Sequence, residues 1–243
     1  MVPRAEAPSR ASNSVLVVGA SRGLGLGLAK VYAGHGWNVI ATERRLNSSE
    51  GLRAATAAAN GRIRVEAVEV NDAGAVRSLH RLLANETFDV IFIVAGVNDD
   101  PTRPIHEVSV EEFTRVLITN AYSPMRFAEL FFHTLKPDGT VAIMSSRMGS
   151  VELASTYVDA GWEAYRASKA ALNMLARCFY DRHRNAGRTV LLMHPGVVKT
   201  DMGGENAPVE VATSVEGIYR TVSDWHGSGK QGFVDYLGNV LPW

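Results

Sequence analysis

A single cysteine, Cys178, stands among the 243 residues. No internal disulfide is possible, which suits a reducing compartment, and a cytoplasmic location is expected. Neither sign of charge is in surplus: Lys and Arg number 25, Asp and Glu 25, and the formal net charge is zero. A groove selected for phosphate backbones usually leaves a basic excess, so no nucleic-acid partner is expected. No apolar run approaches the ~20 residues needed to span a bilayer, so no membrane partner is expected either. The seven histidines form no HExxH pattern and no Cys/His cluster, and no metal site is expected. Linkers, charge blocks and internal repeats are absent. With 46% hydrophobic and 21% charged residues, the chain has the balance of a soluble globular protein. Its length suits one sizeable core rather than several domains.

Residues 1–13 are rich in Ala, Ser, Pro and Arg and carry no apolar h-region, so no secretory signal is expected. They read as a flexible N-terminal tail, with a targeting segment as the alternative. Residues 14–243 read as a single domain. Short apolar runs occupy Ser14–Gly19, Trp37–Thr42, Ile63–Val70, Asp89–Ala95, Thr140–Ser145, Arg188–His194 and Gln231–Asp235. Runs such as SVLVVG and DVIFIVAG are nearly continuous, the mark of strands buried on both faces. Helical patterns lie between them at Leu24–Ala33, Ala73–Ala84, from a Ser109/Glu112 capping box onward through Val110–Leu135, and from Glu163 to about Arg184. This alternation predicts an α/β fold: a doubly wound, parallel sheet of about seven strands with helices on both faces. Asn98–Pro104 and Met202–Pro208 read as loops. In such a sheet ligands bind beyond the C-terminal strand ends, so chemistry is sought just after each apolar run.

The turn Gly19-Ala20-Ser21-Arg22-Gly23-Leu24-Gly25 follows the first run and opens a helix. Glycines there let the backbone approach a pyrophosphate, whose charge the helix N-terminus favours. Its spacing is GxxxGxG rather than GxGxxG, and a plain strand-to-helix turn is the other reading. Further on, Tyr165 and Lys169 stand at i and i+4, on one helix face. A lysine cation beside a phenol favours the phenolate and lowers the tyrosine pKa, giving a proton donor and acceptor usable near neutrality. An exposed helix pair is the alternative.

With these two motifs in this order, the chain resembles the short-chain dehydrogenase/reductase family along nearly all its length after the tail. The resemblance implies a Rossmann fold and the catalytic set Asn120, Ser146, Tyr165 and Lys169. Ser145-Ser146-Arg147-Met148-Gly149 matches the family's SSxxG segment, and Pro195-Gly196-Val197-Val198-Lys199-Thr200 matches PGxVxT, which cradles the nicotinamide end. The stretch HPGVVKTDMGGENAP and the chain's ending are most similar to the C-factor and sniffer-type carbonyl reductase branch. The implied cofactor contacts are Gly19, Ser21, Arg22, Gly23, Leu24, Gly25, Glu43, Arg44, Glu69, Val70, Ala95, Gly96, Tyr165, Lys169, Pro195, Gly196, Val198 and Thr200. Three features depart from the family pattern. Ile93-Val94-Ala95-Gly96 replaces NNAG, Glu69 replaces the usual Asp, and Ser146 and Tyr165 are 19 apart (165 − 146). The extra residues lie in Val151–Trp162 and are expected to shape the pocket mouth.

The resemblance implies reversible hydride transfer between NADP or NAD and a small carbonyl or alcohol. Tyr165 would give the proton and Ser146 would orient the substrate oxygen. Lys169 would bind the ribose and hold the Tyr165 pKa down, and Asn120 would anchor a water linking Lys169 to solvent. Glu43 at the end of the second run argues for NAD; Arg22 and Arg44 argue for NADP, toward which the balance of charges tips. Met202–Pro208 is expected to be a mobile lid. A homodimer or homotetramer is implied by the family's habit of pairing Val110–Leu135 and Glu163–Arg184 across a two-fold axis. Cys178 is expected to be a buried, inert thiol, His194 structural, and Trp162 either a wall of the substrate site or packing. The rival class is a dinucleotide-binding regulator or C-factor-like signalling protein without turnover, which fold alone does not exclude.

Overall fold

Seven apolar segments hydrogen-bond side by side in the order β3-β2-β1-β4-β5-β6-β7, every pair parallel. They are β1 (Ser14–Val18), β2 (Asn38–Glu43), β3 (Ile63–Ala67), β4 (Phe88–Ile93), β5 (Leu135–Met144), β6 (Thr189–His194) and β7 (Gln231–Asp235). The computed structural model describes residues 13–156 and 161–243. Of the predicted tail only Asn13 falls within that range, and its carbonyl already accepts the Asn38 amide at 2.8 Å. Residues 157–160 of the predicted Val151–Trp162 loop also lie outside the described residues.

Alternation along the strands feeds two cores. Val15 and Val17 of β1 face one side with α1 (Gly23–Gly34), α2 (Glu50–Ala58) and α7 (Val211–Trp225), through Leu28, Leu52, Val215 and Ile218. Leu16 and Val18 face the other side with α3 (Ala73–Leu82), α5 (Ser123–Phe131) and α6 (Glu163–His183), through Leu79, Phe127, Phe131 and Phe179. Both faces of the central strands are therefore dry, which is why those strands read as unbroken apolar runs.

The sheet and its doubly wound cover agree with the sequence reading; several elements differ. The stretch Val110–Leu135 is not one helix. It comprises α4 (Val110–Leu117), a π turn at Ile118–Tyr122, α5 and a 3₁₀ turn at Phe132–Thr134, and Leu135 already opens β5. Ser109 does cap α4 through the Glu112 amide at 3.1 Å, but the Glu112 carboxylate pairs with Arg103 instead of returning to Ser109. Helix α2 carries an N-cap that the sequence reading missed, Ser49 accepting the Leu52 amide at 3.1 Å, whereas α7 lacks the marks used to find the others. α7 is rich in β-branched residues and holds Gly217, yet Val215, Ile218 and Val222 fall on one buried face, and packing outweighs propensity. Cys178 is exposed rather than buried, because the inner face of α6 passes through Leu172, Ala176 and Phe179. Among the described residues no helix is long and apolar enough to cross a membrane, and no group of three or more His, Cys, Asp or Glu is placed to hold a metal ion.

Strand order reverses direction at β1 and β4, whose crossovers leave toward opposite faces. That opens a crevice above their C-terminal ends.

Candidate active site

The crevice is a cleft of about 650 Å³. At its start Gly19 adopts φ +91°, and a Cβ there would come within 3.0 Å of the Ala95 amide nitrogen. A Cβ on Gly25 would stand 2.0 Å from the Gly19 carbonyl oxygen. The turn thus folds tightly against the first turn of α1. No side chain caps α1, and no acidic residue lies in that turn. The dipole end and its amides are left to face the cleft, the arrangement that suits a phosphate. Thr42 Oγ1 and the Ser49 hydroxyl hold the turn from outside, through Gly19 N at 3.0 Å and Ser21 O at 2.5 Å.

Gly19, Ser21, Arg22, Gly23, Leu24 and Gly25 line one end of the cleft together with Glu43, Arg44, Glu69, Val70, Ala95 and Thr200, which packs against Gly23. Glu43 is buried; its Oε2 accepts from Ser48 Oγ and from Ser49 N, both at 3.0 Å. Glu69 Oε1 accepts the Asn71 amide at 3.1 Å. Arg22 reaches across the mouth to Asp201 at 2.7 Å, both side chains about three-quarters exposed.

At the other end stand Tyr165, Lys169 and Pro195, with Gly96 so placed that a Cβ there would lie 3.7 Å from Lys169 Nζ. Tyr165 and Lys169 share the inner face of α6, and both are buried. Ser146, at the end of β5, hydrogen-bonds with the Tyr165 hydroxyl. Lys169 Nζ lies 5.7 Å from the Tyr165 ring centre and donates to the Met144 carbonyl at 2.8 Å. Gly196 and Val198 do not line the cleft. Val198 is buried and bridges to Val209, and the α-carbon of Gly196 faces Tyr236.

One expectation needs correction. Lys169 does not hold the Tyr165 pKa down in this state: burial pushes it up to about 12, the Ser146 hydrogen bond pulls against that, and the Asp99 charge adds to it. Burial also brings the Lys169 ammonium down to about 8, so the cation that should favour a phenolate is itself weakened. Asn120 sits in the π turn, and both its amide hydrogens are engaged. Nδ2 donates to Val97 O at 2.7 Å and to Ser168 Oγ at 3.0 Å, while Oδ1 accepts Val97 N at 2.8 Å. Its side chain therefore ties the β4 loop to α6.

Sequence reasoning missed Asp99, whose carboxylate accepts from the start of α6, and Asn71, which joins the β3 loop to Thr119 and Ser123. Spacing gives no hint of either, since each acts on elements far along the chain. Trp162 packs edge-on against Tyr165, ring centres 5.5 Å apart.

The model of the short chain dehydrogenase family matches residues 13–210. The chain is similar to the C-signal of Myxococcus xanthus, with 36% identity over 139 residues, 56% of this chain and 82% of that protein. Its fold matches a short-chain dehydrogenase/reductase from Burkholderia multivorans with bound NADP at a TM-score of 0.91 and 36% identity, covering 96% of this chain and all of that one. The carbonyl reductase Sniffer of D. melanogaster matches at a TM-score of 0.82 and 29% identity, covering 96% and 100%.

Proposed function

Because the chain belongs to the short-chain dehydrogenase/reductase family, in its C-factor and sniffer-like branch, we propose that it reduces a small carbonyl compound with NADPH, reversibly, through Tyr165, Ser146 and Lys169. The observation that carries this reading is the pair Tyr165 and Lys169 in the wall of a cleft that begins with an uncapped, glycine-lined helix terminus, with Ser146 hydrogen-bonded to the Tyr165 hydroxyl. The residues fit a dinucleotide: amides for phosphates at one end, buried proton chemistry at the other.

The bound dinucleotide supplies the hydride. Tyr165 gives its hydroxyl proton to the substrate oxygen as charge develops there, and its raised pKa keeps that proton in place beforehand. Ser146, already bonded to the phenol, donates to the same oxygen and fixes its position. Lys169 binds the ribose hydroxyls and is held on the α6 face by the Met144 carbonyl. Asn120 holds the backbone of Val97 beside this group. The test is oxidation of NADPH in the presence of a panel of aldehydes, ketones and quinones. Cofactor binding without turnover on any of them would instead favour a regulator or signalling protein.

NADPH is preferred because Glu43 is already engaged by Ser48 and Ser49, while Arg44 lines the same end of the cleft and Arg22, whose pair with Asp201 is largely exposed, can exchange that carboxylate for a 2′-phosphate. At low salt the dissociation constant for NADPH is expected to be ~10-fold below that for NADH. Glu43→Gln should widen the gap. A clear preference for NADH would mean that Glu43 serves the ribose hydroxyl.

Residues 202–208 are exposed apart from Ala207 and follow Asp201, which pairs with Arg22 of the glycine turn. They close as a lid. NADPH is expected to slow amide hydrogen exchange there relative to the free protein. Equal exchange with and without cofactor would remove the lid. The protein acts in the cytoplasm as a homodimer or homotetramer; Met174 and Leu175 leave an apolar patch exposed on α6, and sedimentation tests the assembly.

A further inference from the structure

The catalytic helix α6 begins without a cap of its own. Trp162, at its N-terminus, has φ +60° and offers no side-chain acceptor. The acceptor comes instead from Asp99, in the loop after β4. Asp99 is buried; its Oδ1 accepts Tyr165 N at 3.1 Å and its Oδ2 accepts Ala164 N at 3.3 Å. A carboxylate at a helix N-terminus satisfies orphan amides and meets the positive end of the dipole.

Two further contacts hold the same loop to the same helix end. Gly161 packs so closely that a Cβ would lie 1.8 Å from the Pro101 carbonyl oxygen. In the opposite direction Glu163 Oε2 accepts the Ile105 amide at 2.8 Å. Arg103 ties the loop to Asp100 and to Glu112 of α4. The start of α6, and with it Tyr165, is therefore set by residues about 60 positions earlier.

We propose that Asp99 is a positioning residue for catalysis, locking the backbone amides of Ala164 and Tyr165 and holding a buried negative charge at the start of the helix that carries the phenol. The inference rests on the reading of Tyr165 as the proton donor. A negative neighbour opposes loss of the phenol proton, and the Asp99 charge acts in that direction on Tyr165. Among the described residues, the other groups facing the phenol are Lys169 from α6 and the Ser146 hydroxyl from the end of β5. Glu163 and Arg166, its neighbours on α6, are directed to the Ile105 amide and the Ala154 carbonyl. Of the charged groups, Asp99 acts on the phenol and opposes loss of its proton, while the Ser146 hydrogen bond pulls the other way.

The test follows alcohol oxidation at saturating NADP⁺, using the alcohol formed from the best carbonyl of the panel. Asp99→Asn removes the charge and keeps one acceptor for the two helix amides, so the position of the limb rather than kcat is its readout. Its kcat/KM against pH is expected to reach the plateau at least about half a unit lower than in the parent, a ~3-fold gain at pH values below the limb. Asp99→Glu keeps the charge but lengthens the arm. It is expected to hold the limb in place while lowering kcat, and it serves also if the Asn variant does not fold. An unmoved limb in Asp99→Asn, or a parental kcat in Asp99→Glu, overturns the proposal. Tyr165→Phe separates the two levels: if it stays active, the reading of Tyr165 fails first, whereas an inactive Tyr165→Phe with an unmoved Asp99→Asn limb defeats Asp99 alone.

Discussion

Tyr165→Phe is expected to lower kcat by ~10²–10⁴-fold, the range for removing a positioned general acid. NADPH affinity should stay nearly intact. The substitution removes one oxygen and leaves the ring, which packs edge-on against Trp162. The backbone amide of residue 165 still reaches Asp99, so α6 keeps its start. Ser146 loses its partner on the phenol but remains bonded to the Met148 amide at 3.2 Å. Stability should therefore change little and turnover greatly. Fluorescence titration with NADPH and steady-state kinetics on one carbonyl measure the two halves. An unchanged kcat would remove Tyr165 from the mechanism.

Lys169→Met should abolish turnover and weaken NADPH binding, and at the same time make the free protein more stable. The ammonium is buried, and its pKa falls from 10.5 to about 8 because burial disfavours the charge. That shift corresponds to roughly 3 kcal/mol of destabilisation while the lysine is charged. Losing the hydrogen bond to Met144 offsets part of the gain. A net stabilisation on the order of 1–2 kcal/mol remains, or about 2–6 °C in Tm. The sign with pH follows from the lowered value. Below pH 8 the amine is protonated whether the chain is folded or unfolded, and the penalty acts in full. Between about 8 and 10.5 the unfolded chain holds more protons, so the parent gains stability as pH rises and the gap to the variant closes. A variant with a lower Tm at pH 7 would show that Lys169 supports the fold.

Much of this was legible in the residues, for identifiable reasons. Strands wet on neither face must be apolar at every position, so β1, β4 and β6 announce themselves. The glycine turn is legible because its tight geometry excludes side chains, and Tyr165 and Lys169 because helix periodicity alone puts them on one face. Helix α7 is not, since its valines and threonines favour strands and only contact with α1 decides for helix. The break between α4 and α5 is equally hidden: Ile118–Tyr122 continues the apolar pattern, and the widened turn follows from packing against α6. Asp99 is the hardest case. An aspartate beside Pro101 in a polar loop looks like turn chemistry, and its role exists only once β4 and α6 have been brought together. The pKa of Tyr165 is likewise a property of burial, which the i, i+4 spacing does not convey.

The parallel strand order also governs how quickly the chain can find its structure. No two neighbouring strands are joined by a hairpin; β1 lies against β4 through partners such as Val15 and Val90, 75 residues apart (90 − 15). Each ladder begins only after a long loop has closed, so the ordering entropy is spent before any non-local contact rewards it. Refolding from denaturant should accordingly be slow for a protein of this size. During that interval the apolar edges of β1 and β4 stay unpaired, and dilution or a chaperone will decide the yield more than the final stability does.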